Sequence, residues 1–338
     1  MKIFIDIYHI PQYNFFKNAI LQLGPDQVEL GCVNRGKLKD IIQYECPNFT
    51  LNVFGDYKYN KGPISMGGRI ILPRIWSLIK LFRRNKYRLV GTAHYQANIA
   101  AKLSSIPNFS ILDDPRAGVL QLVKRVTDAF YLPPFKNGFK DVNKFNALKE
   151  WAYLSPRYFS PDIEALKEYK LSEKKYLFIR EVSTETSNYL LQEKNIILKI
   201  ADMIGDRFKV LLSLENKNLK DQYPSSWTIL REPIKDIHSL MYYSKLVMSS
   251  GDSVAREGAL LGVPAIYLGS RDMPANNILI EKEMLFKKNT DEILFFLEQL
   301  FNDKIQVIPQ EEFRSTLLVE WDDVTELILS LIKQLSKQ

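Results

Sequence analysis

The sequence predicts an α/β protein made of two doubly wound domains in tandem, with a cleft between them. Three observations carry this. Short apolar runs alternate with amphipathic helical stretches from Lys2 to Leu112, and the alternation restarts at Tyr176. Such alternation gives a parallel sheet with helices on both faces. An irregular stretch rich in proline and aromatic residues separates the two regions, as interdomain linkers do. The length, 338 residues, suits two domains of about 100–200 residues each.

Lys2–Ile7 is a short apolar run suited to a buried strand. Tyr13–Leu23 carries apolar residues at helical spacing and stops at Gly24-Pro25. Gln27–Val33, Leu51–Phe54, Arg88–Thr92 and Phe109–Leu112 read as further strands. Lys37–Tyr44, Ile70–Arg84 and Tyr95–Leu103 read as the helices between them. The middle is irregular, with Pro133, Pro134 and Gly138, then Pro156 and Pro161 among aromatic residues. Strands follow at Tyr176–Ile179, Phe208–Ser213, Trp227–Leu230, Leu246–Ser249 and Pro264–Leu268. Helices follow at Tyr189–Ile204, Ile237–Tyr243, Ser253–Leu261, Asp291–Phe301 and Val324–Gln334. This order places an N-terminal domain at 1–152, a linker at 153–162 and a second domain at 163–320. A closing segment at 321–338 can pack back on the N-terminal domain.

Hydrophobic residues at 46% and charged residues at 25% exclude a disordered or collagen-like chain. A net charge of +7 falls short of a dedicated nucleic-acid binder, so no nucleic-acid partner is expected. It suits an anionic small ligand and an anionic membrane surface equally well. Cys32 and Cys46 are too few for a disulfide scaffold or a four-cysteine zinc site, which points to a reducing compartment. The most apolar candidate span, Ile70–Phe82, is interrupted by Pro73, Arg74 and Lys80. It falls short of the roughly 20 apolar residues a spanning helix needs. Asp6 interrupts the N-terminal apolar run where a signal peptide would continue. A cytoplasmic location is expected. Lys80, Arg83, Arg84, Lys86 and Arg88 beside Trp76 could rest on the inner face of the cytoplasmic membrane, or form a solvated face. No phosphate-binding Gly-rich Lys loop, metal array or Gly-x-Ser-x-Gly elbow occurs, so neither metal nor cofactor is expected.

Leu246–Tyr267 holds the most chemistry. A strand ends in Ser249-Ser250-Gly251, and a helix opens near Asp252-Ser253. The N–H groups of that first turn are unpaired and carry partial positive charge, so they can hold a phosphate. Gly251 lets the backbone approach closely. Glu257 is one turn further on, four residues past Ser253, where a carboxylate can accept both hydroxyls of a ribose. A capped strand–turn–helix without a ligand is the alternative.

The run resembles the nucleotide-sugar site of GT-B proteins. These include the lipid-intermediate N-acetylglucosaminyltransferase of peptidoglycan synthesis and the non-hydrolysing UDP-N-acetylglucosamine 2-epimerases. In those families a Ser-Gly pair meets the diphosphate, and a Glu five residues before the Gly of a Leu-Gly-x-Pro-like element holds the ribose. Ser250, Gly251, Glu257, Gly262 and Pro264 keep that spacing. Nearly the whole chain is similar to a GT-B-like bacterial and archaeal family described as a domain of unknown function. Asp6-Ile7, Phe15-Phe16, and Asp113-Asp114 after Ile106-Pro107 match it. More specific are Tyr153 to Asp162 and the helix with His238, Leu240, Tyr242 and Tyr243. Where that family often carries a His after the N-terminal Pro, this chain has Gln12. The resemblance implies a GT-B-like fold, two Rossmann-like domains facing each other across a cleft, with a nucleotide-sugar ligand. It also implies that backbone near Ile234 meets the base, that His238 is among the nucleotide-sugar-binding residues, and that no metal is needed.

Other candidates stand at strand ends, where open α/β sheets bind ligands. Asp6 and His9 end and follow the first strand; His9 is otherwise an ordinary loop histidine. His94 follows Arg88–Thr92 and can take a proton from an acceptor hydroxyl. Of Asp113 and Asp114, at most one faces a ligand directly, and both could instead cap the next helix. Arg180 can pair with phosphate or form a structural salt bridge. Ser183, Thr184 and Thr186 add hydroxyls, and Glu215 is a pocket or loop acid.

Three functions follow. The leading one is a GT-B glycosyltransferase, probed first with UDP-sugar donors and serving surface polysaccharide or glycoconjugate synthesis such as capsule or lipopolysaccharide. Its second half would hold the donor. Its first half would hold a glycan or lipid-linked acceptor and the base, sought among His94, Asp114, His9 and Asp6. The others are a UDP-N-acetylglucosamine 2-epimerase and a non-catalytic nucleotide-sugar-binding protein.

Overall fold

The computed structural model describes residues 2–56, 71–112, 117–135, 142–183, 192–231 and 236–337. The chain divides into two compact units, Met1–Tyr153 with Trp321–Gln338, and Leu154–Glu320.

Unit 1 runs β1 (Ile3–Ile7), α1 (Ile10–Leu23), β2 (Val28–Asn34), α2 (Leu38–Glu45), β3 (Leu51–Asp56) and α3 (Leu72–Asn85). It continues with β4 (Leu89–Thr92), α4 (Tyr95–Leu103), β5 (Asn108–Ile111), α5 (Ala117–Val126), β6 (Ala129–Leu132), β7 (Asn143–Lys144) and α6 (Trp151–Leu154). The seven strands form one parallel sheet in the order β3-β2-β1-β4-β5-β6-β7. β1 is buried along its length, as its apolar run requires, and it carries Asp6 inside with it.

Unit 2 runs β8 (Tyr176–Glu181), α7 (Ile196–Ile204), β9 (Lys209–Leu214), β10 (Thr228–Ile229), α8 (Ile237–Tyr242) and β11 (Leu246–Ser249). Then come α9 (Asp252–Leu260), β12 (Ala265–Tyr267), α10 (Pro274–Glu281), β13 (Leu285–Lys287), α11 (Thr290–Phe301) and α12 (Gln310–Glu320). Its six parallel strands are ordered β10-β9-β8-β11-β12-β13. Both sheets therefore share one winding. The order reverses between β1 and β4 in unit 1, and between β8 and β11 in unit 2. At such a reversal the connecting helices leave on opposite faces, and a crevice opens beyond the carboxyl ends of the strands.

The last helix, α13 (Val324–Leu335), belongs to unit 1 and packs on α1. Thr325 Oγ1 donates to the Ala152 carbonyl at 2.9 Å, and Trp321 meets Trp151 edge to face. The run expected as a linker is ordered from Leu154 onward within unit 2. Asp162 N–H donates to Ser239 Oγ at 2.9 Å, and Tyr243 hydroxyl donates to the Pro161 carbonyl at 3.3 Å.

α9 lies directly on β11 because Gly258 presents no side chain there. A Cβ at Gly258 would sit 2.6 Å from the Val247 Cβ. Gly258→Ala is expected to destabilise the protein by about 1–3 kcal/mol through overpacking. That loss outweighs the roughly 1 kcal/mol by which alanine favours a helix over glycine. Urea unfolding measures it; unchanged or raised stability would contradict the α9–β11 contact.

Candidate functional site

The carboxyl edge of unit 2 is built around the β11–α9 turn. Ser249 Oγ accepts from Gly251 N–H at 2.9 Å and donates to the Gly251 carbonyl at 2.7 Å. Ser250 is fully buried. Its Oγ accepts from Val182 N–H at 2.9 Å, its N–H donates to the Arg180 carbonyl, and its carbonyl accepts from Gln192 Nε2. The Ser250 hydroxyl and the Gly251 amide, expected at a diphosphate, are thus used to hold the turn. The amides of Asp252, Ser253 and Val254 have no intrahelical acceptor, because Ala255 N–H makes the first intrahelical bond, to Gly251. They carry the positive end of the helix dipole.

Asp252 does not present its carboxylate to a ligand. It is buried, and its two oxygens take Arg256 Nη1 at 3.0 Å and Arg271 Nη1 at 3.1 Å. Asn276 accepts from the same Arg256 nitrogen at 2.9 Å. The effect is to fix Arg271, which follows β12, beside the start of α9. On the other flank Arg180 ends β8. Its guanidinium donates to Ser213 Oγ at 2.8 Å and lies 3.5 Å from Glu215, which also accepts Ser183 N–H. The salt-bridge reading of Arg180 is therefore realised in weak form. Arg180 Nε is buried with no hydrogen-bond partner among the described residues. Glu181 is a structural cap: it accepts Ile197 N–H, Leu198 N–H and the Tyr223 hydroxyl, and burial raises its carboxyl above the usual range.

Two separate motifs of the sequence form one packed unit behind Glu257. Phe159 meets His238 and Tyr242 edge to face, with centroids 6.1 and 6.3 Å away. The Arg314 guanidinium lies over both the Phe159 and Tyr242 rings and donates to the Leu154 carbonyl. This packing sets α8 against α9, so His238 Nε2 comes 3.7 Å from Glu257 Oε1. Glu257 is largely buried, with 8% of its surface exposed. Ser253 and Val254, at the opening of α9, are partly exposed.

Unit 1 repeats the logic at its own reversal point. Asp6 is fully buried and takes Arg74 Nη2 at 2.6 Å, while Arg74 Nη1 donates to Gln96 Oε1. Burial raises the Asp6 carboxyl, and Arg74 opposes that rise. The expectation that Asp6 faces a ligand is corrected: its strand position buries it, and its charge is bound to Arg74. Gln12 Oε1 accepts Tyr8 N–H at 2.8 Å, and Gln12 Nε2 donates to the Ala93 carbonyl at 2.7 Å, tying the two loops together. Thr92 Oγ1 donates to the Asp6 carbonyl and accepts His94 N–H.

The His94 ring stacks on Tyr8, centroids 4.1 Å apart and planes 1° from parallel. Burial, and then the charges of Arg74, His9 and Arg35, hold its imidazole well below the usual histidine range. His94 is therefore neutral near pH 7. His9 borders a pocket floored by Phe15, Ile111, Leu112 and Phe145, with Lys149 at its side. Sequence reasoning missed Tyr8, Arg74 and Arg271, whose roles depend on contacts between distant segments.

Asp113, Asp114, Thr184, Thr186 and Ile234 lie outside the described residues. Lys80, Arg83 and Arg84 of α3, and Lys86 and Arg88 after it, are solvent-facing, with Trp76 exposed and Lys80 over its ring, whereas Arg74 turns inward to Asp6. Among the described residues no helix is long and apolar enough to cross a membrane, and no group of three His, Cys, Asp or Glu could hold a metal ion.

The chain is similar to known proteins along most of its length. Residues 121–337 match the profile of a family described as a protein of unknown function, DUF354. An uncharacterized protein of Methanocaldococcus jannaschii is 22% identical over 92% of this chain and 95% of its own. The UDP-N-acetylglucosamine 2-epimerase from Rickettsia bellii superposes with a TM-score of 0.69 at 13% identity, covering 100% of this chain and 97% of that one. Acinetobacter baumannii MurG superposes with a TM-score of 0.56 at 15% identity, covering 99% of this chain and 100% of that one. These likenesses show the fold: an α/β protein with two parallel sheets, as in GT-B proteins.

Proposed function

The chain belongs to the DUF354 family, and for it we propose transfer of a sugar from a nucleotide donor in the manner of a GT-B glycosyltransferase. One observation carries the reading: the start of α9, whose first-turn amides have no intrahelical acceptor, is flanked by Arg180 and Arg271 and stands one helical turn from Glu257. Amides and guanidiniums suit a diphosphate. A carboxylate one turn on suits the two hydroxyls of a ribose. Negative charge grows on the leaving diphosphate in the transition state, and donors fixed in advance stabilise it there. Ser249 and Ser250 contribute by holding the turn, and Asp252 by holding Arg271. Fold likeness to a protein named as a UDP-N-acetylglucosamine 2-epimerase supports a UDP-linked ligand as the first to try. In unit 1 the neutral imidazole of His94 would accept the proton of the acceptor hydroxyl. Surface glycan synthesis is the pathway class we expect to use the product.

Glu257→Ala is expected to weaken nucleotide binding about tenfold or more, since each charge-assisted bond contributes about 1.5–3 kcal/mol. Glu257→Gln should lose only part of that. Calorimetric titration of UDP into the folded variants reads both, and full affinity in Glu257→Ala would contradict the ribose role. The reaction is tested by incubating the protein with UDP-N-acetylglucosamine and following it by NMR. Without an acceptor the donor should persist; with the right acceptor UDP should appear. Appearance of a second UDP-sugar from the donor alone would replace transfer by epimerisation. Binding without turnover, across donors and acceptors, would leave only a nucleotide-sugar-binding protein.

A further inference from the structure

The carboxyl edge of unit 1 gathers cations from several elements around one ring. The Arg74 guanidinium lies 5.3 Å from the Tyr8 ring centroid and that of Arg35 lies 5.8 Å away, while His94 stacks on Tyr8. They come from α3, from the loop after β2 and from the loop after β4, with His9 following β1. Because β2, β1 and β4 are neighbours in the sheet, these loops adjoin. Cations so close repel one another, and Asp6 offsets Arg74 from within the sheet. The field they make is felt locally, since Arg74, His9 and Arg35 all disfavour a proton on His94.

Two further observations point to a ligand here. Arg74 Nε and His94 Nδ1 are buried polar atoms with no hydrogen-bond partner among the described residues. The loop after β2 also sets Arg35, Lys37 and Lys39 around the start of α2, against a single acid, Asp40, in its first turn. Cations at the positive end of a helix are unfavourable, and a negative group there is favourable. Beside the cluster, His9 borders the apolar pocket of Phe15, Ile111, Leu112 and Phe145.

We propose that this edge seats an anionic group, phosphate or carboxylate, of the molecule that receives the sugar, with Arg35 as its principal contact and the adjoining pocket taking an apolar portion. That this ligand is the sugar acceptor rests on the glycosyl-transfer reading; the anion seat itself rests on unit 1 alone.

The test is a set of NMR titrations of the full chain, without nucleotide sugar. The probes are hexyl phosphate against hexanol, and glucose 1-phosphate and glucuronate against glucose. At least one anion should bind about tenfold or more tightly than its neutral counterpart, with the advantage shrinking as salt rises. Arg35→Gln should remove most of that advantage and Arg35→Glu should abolish it, while Glu257→Ala leaves it in place. Preference for hexyl phosphate would mark a lipid-borne phosphate, for glucose 1-phosphate a soluble one, and for glucuronate a carboxylate. Equal binding of anions and neutral counterparts would overturn the proposal. So would an anion preference that survives both Arg35 variants, since it would belong to another site such as the start of α9. Loss of UDP binding alone would instead count against the nucleotide-sugar reading and leave the seat standing.

Discussion

Replacing Arg74 by methionine is expected to destabilise unit 1 by about 3–5 kcal/mol, the usual loss when one partner of a buried ion pair is removed. Asp6 would remain fully buried with its charge unmatched. Replacing both partners, as in Asp6→Leu with Arg74→Met, should cost much less, because no buried charge is left behind. The pH dependence has a definite sign. Without Arg74, burial alone acts on Asp6 and raises its folded carboxyl further above its unfolded value of 3.8. The folded state then binds more protons than the unfolded state above that value, so stability falls as pH rises through the window. The single variant should therefore lose more at pH 7 than at pH 4. Urea unfolding at the two values measures it. A loss below about 1 kcal/mol, equal at both pH values, would show that the pair is not buried as described.

His94→Ala is expected to lower turnover about 10²–10⁴-fold, the range for loss of a general base, while nucleotide affinity stays nearly intact. The shape of the pH profile separates a base from a structural residue. The folded imidazole is held well below its ordinary 6.5 by burial and then by Arg74, His9 and Arg35. It stays unprotonated as pH falls through 6.5, and the rate should decline only at more acidic pH. Arg35→Gln removes one of those charges and should shift the acid limb upward. Because His94 stacks on Tyr8, His94→Gln serves as a second variant that keeps more of the volume. Full activity in both would move the base elsewhere, with His9 the next candidate; Asp6 is bound to Arg74.

The strands at the centre of both sheets were legible because parallel strands buried on both faces read as apolar runs. β1, β8 and β11 each sit within two residues of their expected bounds. β7 and β13, two and three residues long, were not, since runs that short leave no periodic signal. α12 was missed because its sequence is mostly polar and only Phe313, Arg314 and Leu317 turn inward. At the candidate site the Ser-Gly turn and Glu257 were legible as local sequence. The inward turn of Ser250, the clamp of Arg256 and Arg271 on Asp252, and the burial of Asp6 against Arg74 were not. Each depends on a partner from another segment, and a charged residue in sequence gives no sign of whether it meets water or a counterion. Tyr153–Asp162 and the His238–Tyr243 helix stood out separately, but only packing shows that they support Glu257 together.

The central claim, a nucleotide sugar held at the start of α9, is tested most directly by hydrogen–deuterium exchange of the full chain with and without saturating UDP-N-acetylglucosamine. The account predicts slowed exchange at the amides of Asp252, Ser253 and Val254, because these are the donors with no intrahelical partner. Protection should extend to the neighbouring peptides carrying His238 and Arg180. Saturating ligand that slows exchange only in unit 1, or that leaves the amides of the α9 first turn unchanged, would contradict it.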